Sequence, residues 1–510
     1  MLTGLAAGFD LLIQQPIAWL LLLVGMLAGT CIGVIPGLGG AVLLTMMLPF
    51  LYGMPIVPAI ALMLAAHASI YFSGSITAIL FNTPGAPESA ATTIDGYALT
   101  QQGKAARALG ISATATTLGG WIGFLVLVFI IPVMYLLVTL FHPPEYLALA
   151  VLAIVLISQL RARSFSKGLL SGLFGLMLSL VGYDPITGVQ RFSFNILALY
   201  NGINISVVAL GLFAFGEMFY LYGTNKAMAA GANFNLSREP GARAIDGVRD
   251  VLGHLGLAIR SALIGVGVGL VPGVGGVAGN FISYGQAARF SKHPELFGKG
   301  TPEGVIAPEA SSLSKEAGAL VPTVALGVPS TVGMAVLMSA FTILGLVPGP
   351  TMVTHHLHLI YTMAWVLAIT SLLASVIGLF LAPFLAKLTA LKGPILVPFV
   401  FVFGIIGAYV ATSNFVQVLL VVGLGVVGLV MKRLGYSLAG SIIGFILGAI
   451  MQNNLYLSEQ IYGIRLFERP ITDVIFALTI GVMLLPILER RRKARRVFNG
   501  SDTEIERRNA

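Results

Sequence analysis

The chain has 510 residues, of which 57% are hydrophobic and only 10% charged, against roughly 25% charged residues in a soluble domain. That composition fits neither a soluble enzyme nor a disordered chain, and the net charge of +9 does not by itself make a nucleic-acid partner. No formal charge stands between Asp10 and Glu88, between Glu316 and Lys387, or between Lys392 and Lys432. A bilayer span needs about 20 apolar residues, so the sequence reads as an all-α polytopic membrane protein.

The N-terminus is apolar and lacks a basic leader segment, so it is not read as a cleaved signal peptide. Apolar segments fall near 11–35, 41–52, 55–72, 108–131, 132–160, 168–183, 196–222, 254–271, 318–346, 357–386, 394–411, 415–431, 435–452 and 471–488. They predict roughly 12 transmembrane helices, with shorter re-entrant or broken pieces. Residues 1–222 form a first transmembrane repeat and 223–253 a polar connecting loop. Residues 254–488 form a second repeat with additional C-terminal helices, and 489–510 a basic tail. The short loops holding Lys387/Lys392 and Lys432/Arg433 carry only basic charge and are two spans apart. The tail, with Arg490–Arg492, Lys493, Arg495 and Arg496, follows two spans later. Parity puts all three on one face, and basic loops mark the cytoplasm; Arg161, Arg163 and Lys167 point to another loop there. The single Cys31 permits no disulfide within the chain.

The halves share a motif. Residues 33–40 read Gly-Val-Ile-Pro-Gly-Leu-Gly-Gly and residues 269–276 read Gly-Leu-Val-Pro-Gly-Val-Gly-Gly. Every glycine and proline is kept. A second, looser pair follows: 74–85 ends in Asn82-Thr83-Pro84-Gly85, and 318–330 ends in Gly327-Val328-Pro329-Ser330. Proline removes a backbone donor and clashes with the preceding turn, so each block should break its helix at membrane depth. Unwound backbone in a bilayer is tolerated where protein or a water-lined cavity covers it. Paired breaks in two halves point to a transporter's midplane site, formed by two inverted-topology repeats. A half-helix N-terminus presents free N–H groups and about half a positive charge, and so suits an anion.

The expected substrate-binding residues are therefore Pro36, Gly37, Gly39, Gly40, Asn82, Thr83, Pro84 and Gly85 on one side. On the other they are Pro272, Gly273, Gly275, Gly276, Gly327, Pro329, Ser330 and Thr331. Backbone carbonyls near Gly37 and Gly273 are candidates to coordinate Na⁺. No catalytic residue and no cofactor is expected. Without a second copy, such a block reads as a mere kink or packing point.

Other features are weaker. Gly423-Leu-Gly425-Val-Val-Gly428 fits a dinucleotide pattern, but it sits in a charge-free membrane run with no acidic residue at the required distance. His355, His356 and His358 cluster at an outer loop without a cysteine or carboxylate beside them, so a metal role is not expected. His67 stands alone in an apolar run, either as a packed, hydrogen-bonded histidine or as a proton-handling group in a cavity. Glu88 and Asp95 follow the first break, either near a cation or in a wet loop. Residues 288–316 balance basic against acidic charge, the profile of a solvated loop or an amphipathic re-entrant segment. An intramembrane enzyme would need a nucleophile–base pair or metal set, and none is evident.

With these motifs the chain resembles the large membrane subunit of the tripartite tricarboxylate transporters. The resemblance rests on Gly33–Gly40, Asn82–Gly85, Asp95-Gly-Tyr97 with Gly103–Gly110, Val271–Gly276, Gly304–Ala310 and Gly318–Pro329. It covers about residues 5–490. It implies a multi-pass subunit of a bacterial inner-membrane importer of organic carboxylates, driven by a Na⁺ or H⁺ gradient. Its partners would be a small membrane subunit and a periplasmic solute-binding protein. Where that family usually has paired asparagines after Pro-Glu-Ala, this chain has Ser311-Ser312. Where it usually has Gly-Ser after the last proline of the second break, this chain has Ser330-Thr331. A stand-alone carboxylate carrier that needs no binding protein is the alternative.

Overall fold

The computed structural model describes residues 2–35, 39–158, 164–184, 186–224, 242–272, 276–388, 393–463 and 469–484. Among them the chain is almost wholly helical, with one two-stranded hairpin in which Gly182–Tyr183 pairs antiparallel with Gln190–Arg191. Six helices are long and apolar enough to cross a membrane: Pro16–Gly33, Ile56–Phe81, Ala105–Leu140, Leu357–Lys387, Phe415–Leu434 and Leu438–Tyr462. A seventh results if Ala244–Gly253 and Leu255–Leu270, which meet at an 81° bend, count as one span. The other apolar stretches form shorter helices, among them Leu2–Ile13, Gly39–Leu51 and Val332–Ile343. The expectation of roughly 12 full spans thus meets fewer long helices, because Gly and Pro cut several apolar runs below bilayer length.

Both motif blocks interrupt helix. Pro16–Gly33 ends on the first residue of the first block and Gly39–Met47 starts on its seventh. Leu255–Leu270 ends on the second residue of the second block and Gly276–Phe290 starts on its last. The long helix that follows in each half ends alike. Ile56–Phe81 is capped by Asn82 in left-handed backbone (φ 53°, ψ 28°), and its N–H bonds Thr77 O. Pro302–Leu326 is capped by Gly327 (φ 67°, ψ 23°), and its N–H bonds Pro322 O. Proline stands two residues after each cap, where no helix can continue.

Small residues let each pair of helices touch. Gly25, Gly29 and Gly33 recur every fourth residue, and a Cβ on them would run into Leu62 O, Ala66 O and Ser73 Oγ of the Ile56–Phe81 helix. In the second half Gly265 and Gly269 repeat that spacing against Ser311 and Lys315 of the Pro302–Leu326 helix. This is how apolar helices associate in a bilayer, where water supplies little driving force.

The 288–316 segment is largely solvated, as expected, as far as Glu303, and departs from that profile beyond it. From Gly304 to Ala325 the Pro302–Leu326 helix is buried, including Glu309, Lys315 and Glu316. Burial of those charges is possible because partners distant in sequence meet them. Glu309 accepts hydrogen bonds from Ser75 (2.6 Å), Ser112 (2.7 Å), Thr116 (2.8 Å) and Thr92. Asp95, read as a cation ligand or wet-loop residue, is an anchor. Its Oδ1 accepts the backbone N–H groups of Gly298, Gly300 and Thr301, and its Oδ2 accepts the Tyr284 hydroxyl.

Two of the basic loops share a face, since Lys167 Nζ reaches Leu434 O at 2.5 Å, beside Lys432 and Arg433. The hairpin lies at the opposite end. Gln417, near the other end of the Phe415–Leu434 helix, donates to Ala198 O and Gly202 O. A helix of 20 residues puts about 30 Å between these faces. The basic tail, Arg161, Arg163 and Lys392 lie outside the described residues.

Candidate anion site

The first turn of a helix carries N–H groups with no partner in the helix itself. Three such turns converge on one cavity of about 410 Å³, lined by Gly39, Gly40, Gly276, Thr331, Val332 and Gly333 among others. Gly39 opens the helix Gly39–Met47 with φ +62°, a conformation that favours glycine. Gly276 opens Gly276–Phe290. Thr331 caps Val332–Ile343, its hydroxyl oxygen accepting the Met334 N–H at 3.1 Å. Ser330 also lines the cavity; its hydroxyl is buried with no hydrogen-bond partner among the described residues. The remaining wall includes His67, Ile70, Tyr71, Pro87 and Glu88, with Ala439 and Ile443 from the Leu438–Tyr462 helix.

Each helix N-terminus favours a negative charge by about 0.3–1 kcal/mol when exposed and up to about 2 kcal/mol when partly buried. Three together rival one basic side chain without placing one in the wall. Lys315 and Glu316 sit just behind the wall, next to the lining residue Glu88. A Cβ on Gly276 would stand 2.5 Å from Lys315 Nζ and 2.8 Å from Glu88 Oε1. Lys315 Nζ is 3.1 Å from Glu316 Oε1 and 4.9 Å from the centre of the Tyr71 ring. The other Glu316 oxygen is 2.8 Å from His67 Nε2.

A second cavity, of about 420 Å³, shares Gly39, Ala41, Pro87 and Ala439 with the first. Pro84, Gly85, Phe213 and Tyr436 line it, with an ion pair in which Lys432 Nζ donates to both Glu217 oxygens at 2.6 Å.

Of the residues expected at the site, Gly39, Gly40, Gly276, Ser330 and Thr331 therefore meet at the first cavity, and Pro84 and Gly85 line the second. Asn82 and Gly327 are helix caps. Thr83 turns its hydroxyl to Phe81 O. Neither they nor Pro272 and Pro329 are among the lining residues of either cavity. Pro36, Gly37, Gly273 and Gly275, and with them the proposed Na⁺ carbonyls, lie outside the described residues. Sequence reasoning weighed His67 and Glu88 without placing them at the site. It missed Tyr71, Gly333 and the Lys315–Glu316 pair, although charges at bilayer depth are themselves a signal. Among the described residues no group of three or more His, Cys, Asp or Glu is placed to hold a metal.

Comparisons with known proteins agree with the motifs. The chain is 30% identical to an uncharacterised 52.8 kDa protein encoded in the TAR-I ttuC' 3' region of Agrobacterium vitis, over 98% of this chain and 99% of that one. It is 31% identical to an uncharacterised protein of the TAR-II ttuC' 3' region of the same organism, over 37% of this chain and 78% of that protein. No solved structure matches the chain. The model of the tripartite tricarboxylate transporter TctA family matches residues 19–449, and the chain belongs to that family.

Proposed function

We propose that this chain is the large membrane subunit of an ion-gradient-driven importer of organic carboxylates. The observation that carries the reading is the convergence on one cavity of three helix N-termini and a Ser330 hydroxyl that has no partner among the described residues. Backbone N–H groups there suit a carboxylate, and the small residues Gly39, Gly40 and Gly276 leave it room. The paired breaks and matching caps support two repeats, of inverted topology, within about 12 spans when shorter helices are counted. The chain sits in the bacterial inner membrane with its basic C-terminus in the cytoplasm. A periplasmic solute-binding protein delivers the carboxylate, and a small membrane subunit completes the complex. Na⁺ or H⁺ moves with it, and no catalytic step is involved.

Uptake of labelled citrate and succinate by vesicles containing the complex tests this reading. Gly276→Leu, which drives a side chain toward Lys315 and Glu88, should abolish uptake with the protein still in the membrane. Wild-type uptake by that variant would overturn the site. Uptake by the chain alone, without the binding protein, would overturn the partner dependence.

A further inference from the structure

The first cavity carries an ion group whose charge balance changes with one proton. His67 lines it and is only 4% exposed. An ionised carboxylate only accepts hydrogen bonds. The Nε2 of His67, 2.8 Å from Glu316 Oε2, is thus assigned the proton of the neutral ring. Nδ1 has no hydrogen-bond partner among the described residues. Gly333 lies against the ring at Cε1, and a Cβ there would stand 2.8 Å from Nδ1.

Among the described residues the ionisable groups about His67 are few. Its own helix brings Tyr71, whose hydroxyl is 3.4 Å from Nε2. The Pro302–Leu326 helix brings Lys315 and Glu316, and its Glu309 is occupied by four hydroxyls. Glu88 stands in the same wall. The Pro16–Gly33 helix carries only Cys31, and neither Gly39–Met47 nor Val332–Ile343 carries an ionisable residue. On Thr92–Gln101, Asp95 is bound to the 298–301 backbone, and Tyr97 is the other ionisable residue. In Ala105–Leu140, Arg107 is paired with Asp250 and Tyr135 is half exposed. In the Leu357–Leu388 helix, Tyr361 packs on Gly4 and Gly8, while His358 and Lys387 stand at opposite ends. With His67 neutral, Lys315, Glu316 and Glu88 sum to one negative charge. With His67 protonated they sum to zero.

We propose that His67 is the proton site coupled to the anion: a proton on Nδ1 and a carboxylate at the helix N-termini bind together, each favouring the other. The proton is delivered as hydronium through the cavity: one of its O–H bonds breaks and a water molecule is left, while Nδ1 supplies the lone pair for the new N–H bond and Nε2–H keeps its bond to Glu316. This rests on the cavity being the anion site, and it selects H⁺ over Na⁺ as the coupling ion.

The test is calorimetry on the full chain in detergent, titrated with citrate, then succinate, in sodium-free buffers of different ionisation enthalpy. Wild type should take up close to one proton per anion bound. His67→Gln should bind the anion at least tenfold more weakly and with almost no proton uptake. Glu316→Gln, which removes the excess negative charge, should bind the anion also without taking up a proton. Binding by wild type without proton uptake, or only when Na⁺ is added, overturns the proton site and leaves the anion site standing. So does proton uptake that both variants retain in full. If wild type binds neither citrate nor succinate at millimolar concentration, the anion site falls, and the coupling with it.

Discussion

Gly333 packs against the Cε1 corner of His67: a Cβ added to it would clash with Cε1 and stand 2.8 Å from Nδ1 and 3.0 Å from Nε2. No other residue type leaves the imidazole where Glu316 holds it. The contact ties the start of the Val332–Ile343 helix to the Ile56–Phe81 helix at the cavity wall.

Gly333→Ala should therefore lower stability, by about 1–3 kcal/mol for overpacking. Helix propensity returns at most about 1 kcal/mol of that. Gly423→Ala is the control. Gly423 is also in a helix, but nothing lies within 4 Å of its added Cβ, so it should gain about 0.5–1 kcal/mol. The thermal unfolding midpoints of the purified variants should move in opposite directions.

Asn82 and Gly327 end equivalent helices in left-handed backbone. Alanine at either position should cost about 1–2 kcal/mol. At Gly327 the Cβ also meets Ile450 Cδ1 at 3.2 Å and Pro348 O at 3.3 Å, so its loss should be the larger. Asn82→Gly should be neutral or slightly stabilising. Parallel thermal melts of the three variants check the order.

Glu309 holds four hydroxyls from three other helices. Glu309→Leu leaves those hydroxyls without their acceptor, at about 1–3 kcal/mol for each that finds no substitute. Glu309→Gln keeps one acceptor oxygen, and the hydroxyls can turn to accept from its amide. The yield of monodisperse protein on size exclusion should fall strongly for Leu and modestly for Gln. Equal yields would show that the carboxylate is not what joins these helices.

Outside the membrane helices, Asp184 holds the hairpin. Its carboxylate accepts from the Ile186 N–H at 3.0 Å, the Thr187 hydroxyl at 2.7 Å, Gln452 at 2.8 Å and Tyr456 at 3.1 Å. The Ile186 N–H bond above all, with the hydroxyls, lowers its pKa to about 2, against about 3.9 in an unfolded chain. A lowered carboxylate pKa stabilises the fold above the unfolded value, and the effect is lost as pH falls toward the folded one. Asp184→Asn should thus destabilise the protein at pH 6 and much less at pH 2.5. The difference in melting temperature between wild type and variant, taken at both pH values, reads this directly.

The helix breaks were legible in sequence because proline and glycine act on their own local backbone, and the two near-copies marked them as a pair. The buried helix Pro302–Leu326 was not. Its Glu309, Lys315 and Glu316 read as water-loving until Ser75, Ser112, Thr116 and His67 arrive from roughly two hundred residues upstream. Asp95 misled in the same way, since its partners are backbone N–H groups that no side-chain pattern reveals. The cavity depends on which helix starts face one another, and only the packing of Gly25, Gly29 and Gly33 and of their counterparts decides that.

The most direct measurement is an experimental density map of the complex at saturating citrate. The account places a carboxylate group within hydrogen-bond reach of the Ser330 hydroxyl and of N–H groups at the starts of the Gly39–Met47, Gly276–Phe290 and Val332–Ile343 helices. Citrate bound beside Lys432 and Glu217 with that cavity empty, or on a face remote from all three helix starts, would contradict it.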